Sequence, residues 1–108
     1  MAELPPMVFP QDEPAFEERL RGLAEAGLRE VLADNLYGVR LARRLGLRVH
    51  GGAGLNILNN RALAAWEAQG LESAILSYEL SMARCRALGG ALPRGILAYG
   101  RLPLMRWR

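Results

Sequence analysis

Apolar positions along this chain come in two rhythms. Short apolar runs alternate with longer stretches in which apolar residues recur every three or four positions. The first rhythm suits buried strands and the second suits amphipathic helices. Met7-Val8-Phe9, Leu28 to Ala33, Leu47-Arg48-Val49-His50, Ala74-Ile75-Leu76-Ser77 and Ile96-Leu97-Ala98-Tyr99 predict five strands. Between them, Phe16, Leu20, Leu23 and Ala24 predict a first helix, and Tyr37 to Leu45 a second. Leu63 and Trp66 mark a third, and Leu80, Met82, Ala83 and Leu88 a fourth.

The punctuation agrees with this alternation. Pro5, Pro6 and Pro10 confine the first strand to an edge, because proline offers no amide to a sheet. Asp12 precedes the first helix and Pro14 falls in its first turn, where proline is tolerated. Glu13, Glu17 and Glu18 place negative charge towards the helix N-terminus, the sign its dipole favours. Asn59 or Asn60 caps the third helix. Gly27-Leu28, Gly46-Leu47 and Gly70-Leu71 each end a helix just before a strand, at intervals of 19 and 24 residues. Those intervals fit one strand plus one helix. Gly89-Gly90 ends the fourth helix.

Strands alternating with helices imply parallel pairing and right-handed crossovers. The predicted fold is therefore α/β, built of parallel (β/α) repeat units as a partial TIM-type barrel. Residues 1–108 form a single segment of about five strands and four helices. A closed eight-unit barrel needs about 250 residues, so this length supplies only part of one. An open doubly wound sheet is the alternative. Against it, no Gly-x-Gly-x-x-Gly opens the first helix.

Composition narrows the function classes only slightly. Hydrophobic residues make up 51% and charged residues 23%, the balance of an ordinary globular domain. The net charge is +3, and lysine is absent, so arginine carries all of the fixed positive charge. The arginines alternate with glutamates along the helices and form no basic stripe, which argues against nucleic-acid binding from charge alone. Cys85 is the only cysteine, so no internal disulfide and no cysteine cluster can form. No signal-like start and no apolar stretch near the ~20 residues of a membrane span is present. A reducing cytoplasm and no membrane partner are expected.

In a parallel barrel the functional groups gather where strands end. Asp34 and Asn35, His50 leading to Asn56, Ser77-Tyr78-Glu79, and Tyr99 with Arg101 all fall there. His50 could act as a general base, or be a hydrogen-bonded structural histidine. Gly51-Gly52-Ala53-Gly54 could cradle an anion through its amides, but lacks the Gly-Lys-Ser/Thr ending of a phosphate loop. Asn56 and Asn59 could fix a polar substrate, with helix capping the competing role for Asn59. Glu79 directly follows an apolar strand and is either a functional carboxylate or a first-turn helix acid. Ser77 has no adjacent base and no Gly-x-Ser-x-Gly elbow. Cys85 lies among Ala and Leu and reads as a packing residue. The candidates are thus His50, Glu79 and Tyr99 for catalysis, and Asn56, Asn59, Ser77 and Arg101 for substrate.

Several segments resemble one family. Leu47-Arg48-Val49-His50-Gly51-Gly52-Ala53-Gly54-Leu55-Asn56, followed by Asn59, is similar to a "hydrophobic–His–Gly…Leu-Asn-x-x-Asn" segment of collagenase-like peptidases, bacterial peptidase family thirty-two of unknown catalytic type. Leu76-Ser77-Tyr78-Glu79-Leu80 resembles that family's "Leu-Ser-x-Glu-Leu". Tyr99-Gly100-Arg101-Leu102-Pro103-Leu104-Met105 resembles its "Tyr-Gly-x-x-Pro-Leu-Met", and Leu4-Pro5-Pro6 an upstream segment. Each motif is weak alone, but their order and spacing match along nearly the whole chain.

The resemblance implies a (β/α) barrel and a protease activity on protein or peptide. Some relatives instead hydroxylate transfer or ribosomal RNA or a quinone precursor, using an iron–sulfur cluster held by cysteines. Two departures matter. Arg106-Trp107-Arg108 stands where family cysteines follow, and Pro103 stands where the stricter signature has a cysteine. The expected reading is a fragment, truncated frame or split protein that holds no cofactor and is inactive alone. A non-catalytic half-barrel module is the alternative. The expected partner is a second copy or a complementary barrel segment, because an open half-barrel would expose an inner face predicted to carry Val31, Val49, Ile75 and Leu97.

Overall fold

A computed structural model describes residues 1–104. Met105 of the last motif and the terminal Arg106-Trp107-Arg108 lie outside the described residues. Five strands form one sheet: β1 (Ala2–Glu3), β2 (Glu30–Ala33), β3 (Arg48–Gly51), β4 (Ser73–Ile75) and β5 (Arg94–Gly95). All pairings are parallel, and the strands lie in the sheet in chain order. The helices are α1 (Glu13–Glu25), α2 (Leu36–Arg44), α3 (Asn60–Ala68) and α4 (Met82–Ala87), each leading from one strand to the next.

Glycine ends the helices as the sequence predicts. Gly27, Gly46 and Gly70 have φ of 116°, 76° and 84°, a left-handed conformation that costs glycine little. After α2, the Gly46 amide donates to Arg43 O at 3.0 Å and the Leu47 amide to Ala42 O at 3.0 Å. These two bonds make a Schellman cap, and Leu47 then turns inward, buried, at the start of β3. At the other ends, the side chain of Asn35 accepts from Gly38 N and that of Asn59 from Ala62 N. Asn59, not Asn60, is therefore the cap of α3.

One face of the sheet is dry. Val31, Ala33, Val49 and Ala74 point to it and pack with Leu20 of α1, Val39, Leu41 and Ala42 of α2, and Leu63 of α3. Full burial of each large side chain contributes about 1.5–3 kcal/mol. The alternate residues, Glu30, Leu32, Arg48, His50, Ser73 and Ile75, are half-buried or exposed and form an open face. The sequence reading sets Val31 and Val49 on that open face, and the structure corrects it. A strand's side chains alternate, so an error of one position moves the whole set to the other side. The open face is instead polar over its lower rows and apolar only towards the strand ends.

The two edge strands also differ from expectation. β1 lies at Ala2–Glu3 rather than at Met7–Phe9. The Leu4 amide still donates to Leu32 O at 2.8 Å, but Pro5 and Pro6 follow and cannot donate. At the other edge, β5 covers Arg94–Gly95, and Ile96 to Tyr99 run on beyond the pairing. β4 ends at Ile75, and the Leu76 amide donates to Gly95 O at 2.9 Å. Leu76 also bridges Ile57 on its other side.

Candidate functional site

A cleft of about 540 Å³ opens where the strands end. Leu32, Ile75 and Leu97 are its apolar floor, continuing the open face of the sheet. Asp34, Asn56, Tyr78, Glu79 and Arg101 supply the polar rim, with Glu3 at the β1 side and Pro6, Leu102 and Pro103 as walls.

The rim depends on local backbone geometry. Asp34 leaves β2 and its Oδ1 accepts from the Gly54 amide at 2.7 Å. The carboxylate packs tightly over both Gly52 and Gly54, leaving no room for a Cβ at either. The glycine-rich loop thus receives the chain's own Asp34 carboxylate, held by the Gly54 amide. A short 3₁₀ turn at Ala53–Leu55 follows. Asn56 then takes φ 51°, a left-handed conformation that asparagine tolerates better than most residues. That reversal buries Ile57 completely and leaves the Asn56 side chain on the cleft.

Of the sequence candidates, Asn56, Glu79 and Arg101 line the cleft, together with Asp34. The others go elsewhere. Ser77 is 3% exposed and its Oγ accepts from the Glu79 amide at 3.3 Å, so it shapes the turn that presents Glu79. Asn59 caps α3. Tyr99 is 98% exposed beyond β5. Cys85 is half-buried against the core. His50 sits mid-strand on the open face, below the cleft. Its Nδ1 is 2.7 Å from Ser73 Oγ, and its Nε2 is 3.8 Å from Glu30 Oε1.

The sequence reading does not single out Glu30 and Ser73. They stand 20 and 23 residues from His50, and only strand register brings them together. Leu32 pairs with His50, and His50 with Ser73. The signal lies in the polar residues of otherwise apolar strands: Glu30, His50 and Ser73 each occupy the alternate position.

The cleft's chemistry is that of carboxylates, an amide, a phenol and a guanidinium. Among the described residues no group of three His, Cys, Asp or Glu side chains could hold a metal ion. The cysteine-bound iron–sulfur cluster of some resembled proteins does not fit this chain, because such clusters take four thiolates and the sequence has one cysteine. Among the described residues no helix is long and apolar enough to cross a membrane. Comparison with known protein families, curated proteins and solved structures returns no match.

Proposed function

We propose that the chain is a segment of a parallel (β/α) barrel, similar to the catalytic barrel of collagenase-like peptidases, and that its strand-end cleft binds polypeptide. One observation carries this reading. The segments that resemble the family lie far apart in sequence, yet each contributes to one cleft: Pro6 from the first, Asn56 from the second, Tyr78 and Glu79 from the third, Arg101 and Pro103 from the last.

The sheet order supports a barrel. A doubly wound sheet reverses its strand order to place helices on both faces. Here the order is sequential and one face stays open. Five strands do not close a barrel of eight, so a second copy or a complementary segment would complete it. Within the cleft, the Glu79 and Asp34 carboxylates are suited to hold a peptide amide or a water, and Asn56 and Arg101 to orient carbonyl groups. Glu79 has no nucleophile beside it, so peptide turnover awaits the missing strands. The exposed Ile96, Leu97 and Leu102 favour a second reading, a non-catalytic module that pairs through this edge.

Binding of a labelled gelatin peptide, followed by anisotropy, tests the proposal. Asn56→Gly keeps the left-handed backbone and removes the amide, and about tenfold weaker binding is expected, the worth of one hydrogen bond. Gelatin should remain uncleaved. Binding unchanged by both Asn56→Gly and Glu79→Gln would overturn the assignment of the cleft, and gelatin turnover abolished by Glu79→Gln would overturn the absence of peptide cleavage by this chain. Preference for a structured RNA over the peptide would move the reading to the RNA-modifying branch.

A further inference from the structure

Three side chains on three adjacent strands meet on the open face. Ser73, His50 and Glu30 come from β4, β3 and β2. The chain has three serines. Ser77 and Ser81 use their hydroxyls to accept from the backbone amides of Glu79 and Arg84. Ser73 alone faces an imidazole, with its Oγ 2.7 Å from His50 Nδ1. On the far side of the ring, His50 Nε2 is buried without a hydrogen-bond partner, and the closest carboxylate oxygen is Glu30 Oε1 at 3.8 Å. Glu30 is held in turn by an ion pair with Arg48.

A nucleophile within hydrogen-bond reach of a base is the first requirement for activating a hydroxyl, and Glu30, 3.8 Å from the far nitrogen, is the carboxylate placed to orient that base once the gap closes to a hydrogen bond. We propose that Ser73 and His50 form a nucleophile–base pair for acyl transfer, with Glu30 as the positioning residue, and that their substrates are carboxylic esters with apolar acyl chains. The location supplies the substrate class. Leu32 is the register neighbour of His50, and Ile75 follows Ser73 by two residues on the same face. Both are floor residues of the cleft, so an acyl chain lying on Leu32 and Ile75 brings its carbonyl down to Ser73.

The step balances within the chain and water. With Nε2–H turned to Glu30, Nδ1 is free to accept. Ser73 Oγ bonds to the acyl carbon while its proton passes to Nδ1, and the departing alkoxide takes that proton. Water then attacks the same carbon through His50, the Ser73 ester breaks, the acid leaves and Oγ–H is restored.

A fluorophosphonate probe tests the pair directly, because its phosphorus captures an activated serine as fluoride leaves. One adduct per chain, mapped to Ser73 by peptide mass, is expected. His50→Gln should slow labelling about a hundredfold, the usual worth of a general base, with the circular dichroism unchanged. Glu30→Ala should shift the His50 tautomer away from Nε2–H in nitrogen NMR and slow Ser73 labelling with it; a shifted tautomer with unslowed labelling would strike Glu30 from the positioning role. Ser73→Ala should abolish the adduct, and if that variant does not fold, Ser73→Cys decides. The thiol introduced by that substitution should react with iodoacetamide faster than Cys85, and adding His50→Gln should remove the difference. No adduct at Ser73, labelling equally fast in His50→Gln, or an introduced thiol no faster than Cys85 would each overturn the proposal.

Discussion

The Asp34 carboxylate occupies the space that a side chain on Gly54 would need. A Cβ built there lies 2.7 Å from Asp34 Cβ, while the Gly54 amide donates to Asp34 Oδ1 at 2.7 Å. Gly54→Ala should therefore destabilise the chain by about 1–3 kcal/mol, as overpacking commonly does. Asp34→Gly, which takes away the Cβ as well as the carboxylate, should remove most of that penalty, so the double variant should be clearly non-additive. Urea unfolding of the four proteins measures this. Additive effects would show that the loop yields elsewhere.

The two adjacent asparagines at the start of α3 should separate cleanly. Asn59 Oδ1 accepts from Ala62 N at 2.8 Å and caps the helix. Asn60 Oδ1 accepts from Gly89 N at 2.8 Å and ties α3 to the end of α4. Asn59→Ala should cost about 1 kcal/mol through the lost cap, read from the urea midpoint. Asn60→Ala should leave α3 intact and speed amide exchange at Gly89 specifically.

Tyr37 should titrate above the ordinary phenol range. Burial of its hydroxyl is the main cause, and the negative charges of Glu13 and Glu17 add to it, against an opposing contribution from Arg44. A pKa raised by folding means the native state holds the proton more tightly. The associated stability is present below the unfolded tyrosine value, about 10, and is lost as pH rises from there through the folded value. Absorbance titration should show one phenol ionising above the ordinary tyrosine range, lost in Tyr37→Phe, and Glu17→Gln should bring it down.

The open face should drive association. Leu32 and Ile75 are half-buried and Leu97 is 41% exposed where the open face reaches the strand ends. Burying such a side chain is worth about 1.5–3 kcal/mol. Light scattering at micromolar concentration should report a dimer or larger species. Leu97→Glu should weaken it about tenfold or more, since about 1.4 kcal/mol is one decade. A sharply melting monomer would show that the face needs no cover.

The strand–helix alternation is legible because each unit carries its own signals: apolar periodicity, a capping asparagine, and glycine at Gly27, Gly46 and Gly70. Face and register are not. Val31 and Val49 are β-branched residues at strand centres, and nothing local says which side the helices cover. The edge strands shift from their expected places because two-residue pairings such as Ala2–Glu3 and Arg94–Gly95 have no period to detect. Their position follows from where a neighbour's free amides and carbonyls lie. For the candidate site, the strand-exit residues Asn56, Glu79 and Arg101 line one cleft. His50 reads in sequence as a strand-exit residue, but the chain continues as strand through Gly51, which sets the imidazole back among the side chains of the sheet.

The sequential strand order also bears on how the chain folds. Every strand pairing joins consecutive units, so no closure spans more than one helix and its flanking loops. Loop-closure entropy is then met in small instalments, and contacts stay local for a parallel sheet, which favours faster folding than long-range topologies allow. Cooperativity passes from neighbour to neighbour, as in repeat proteins. The terminal unit around Arg94–Gly95 has one neighbour and an exposed continuation. It should fray first and exchange its amide hydrogens while β2 and β3 still hold theirs.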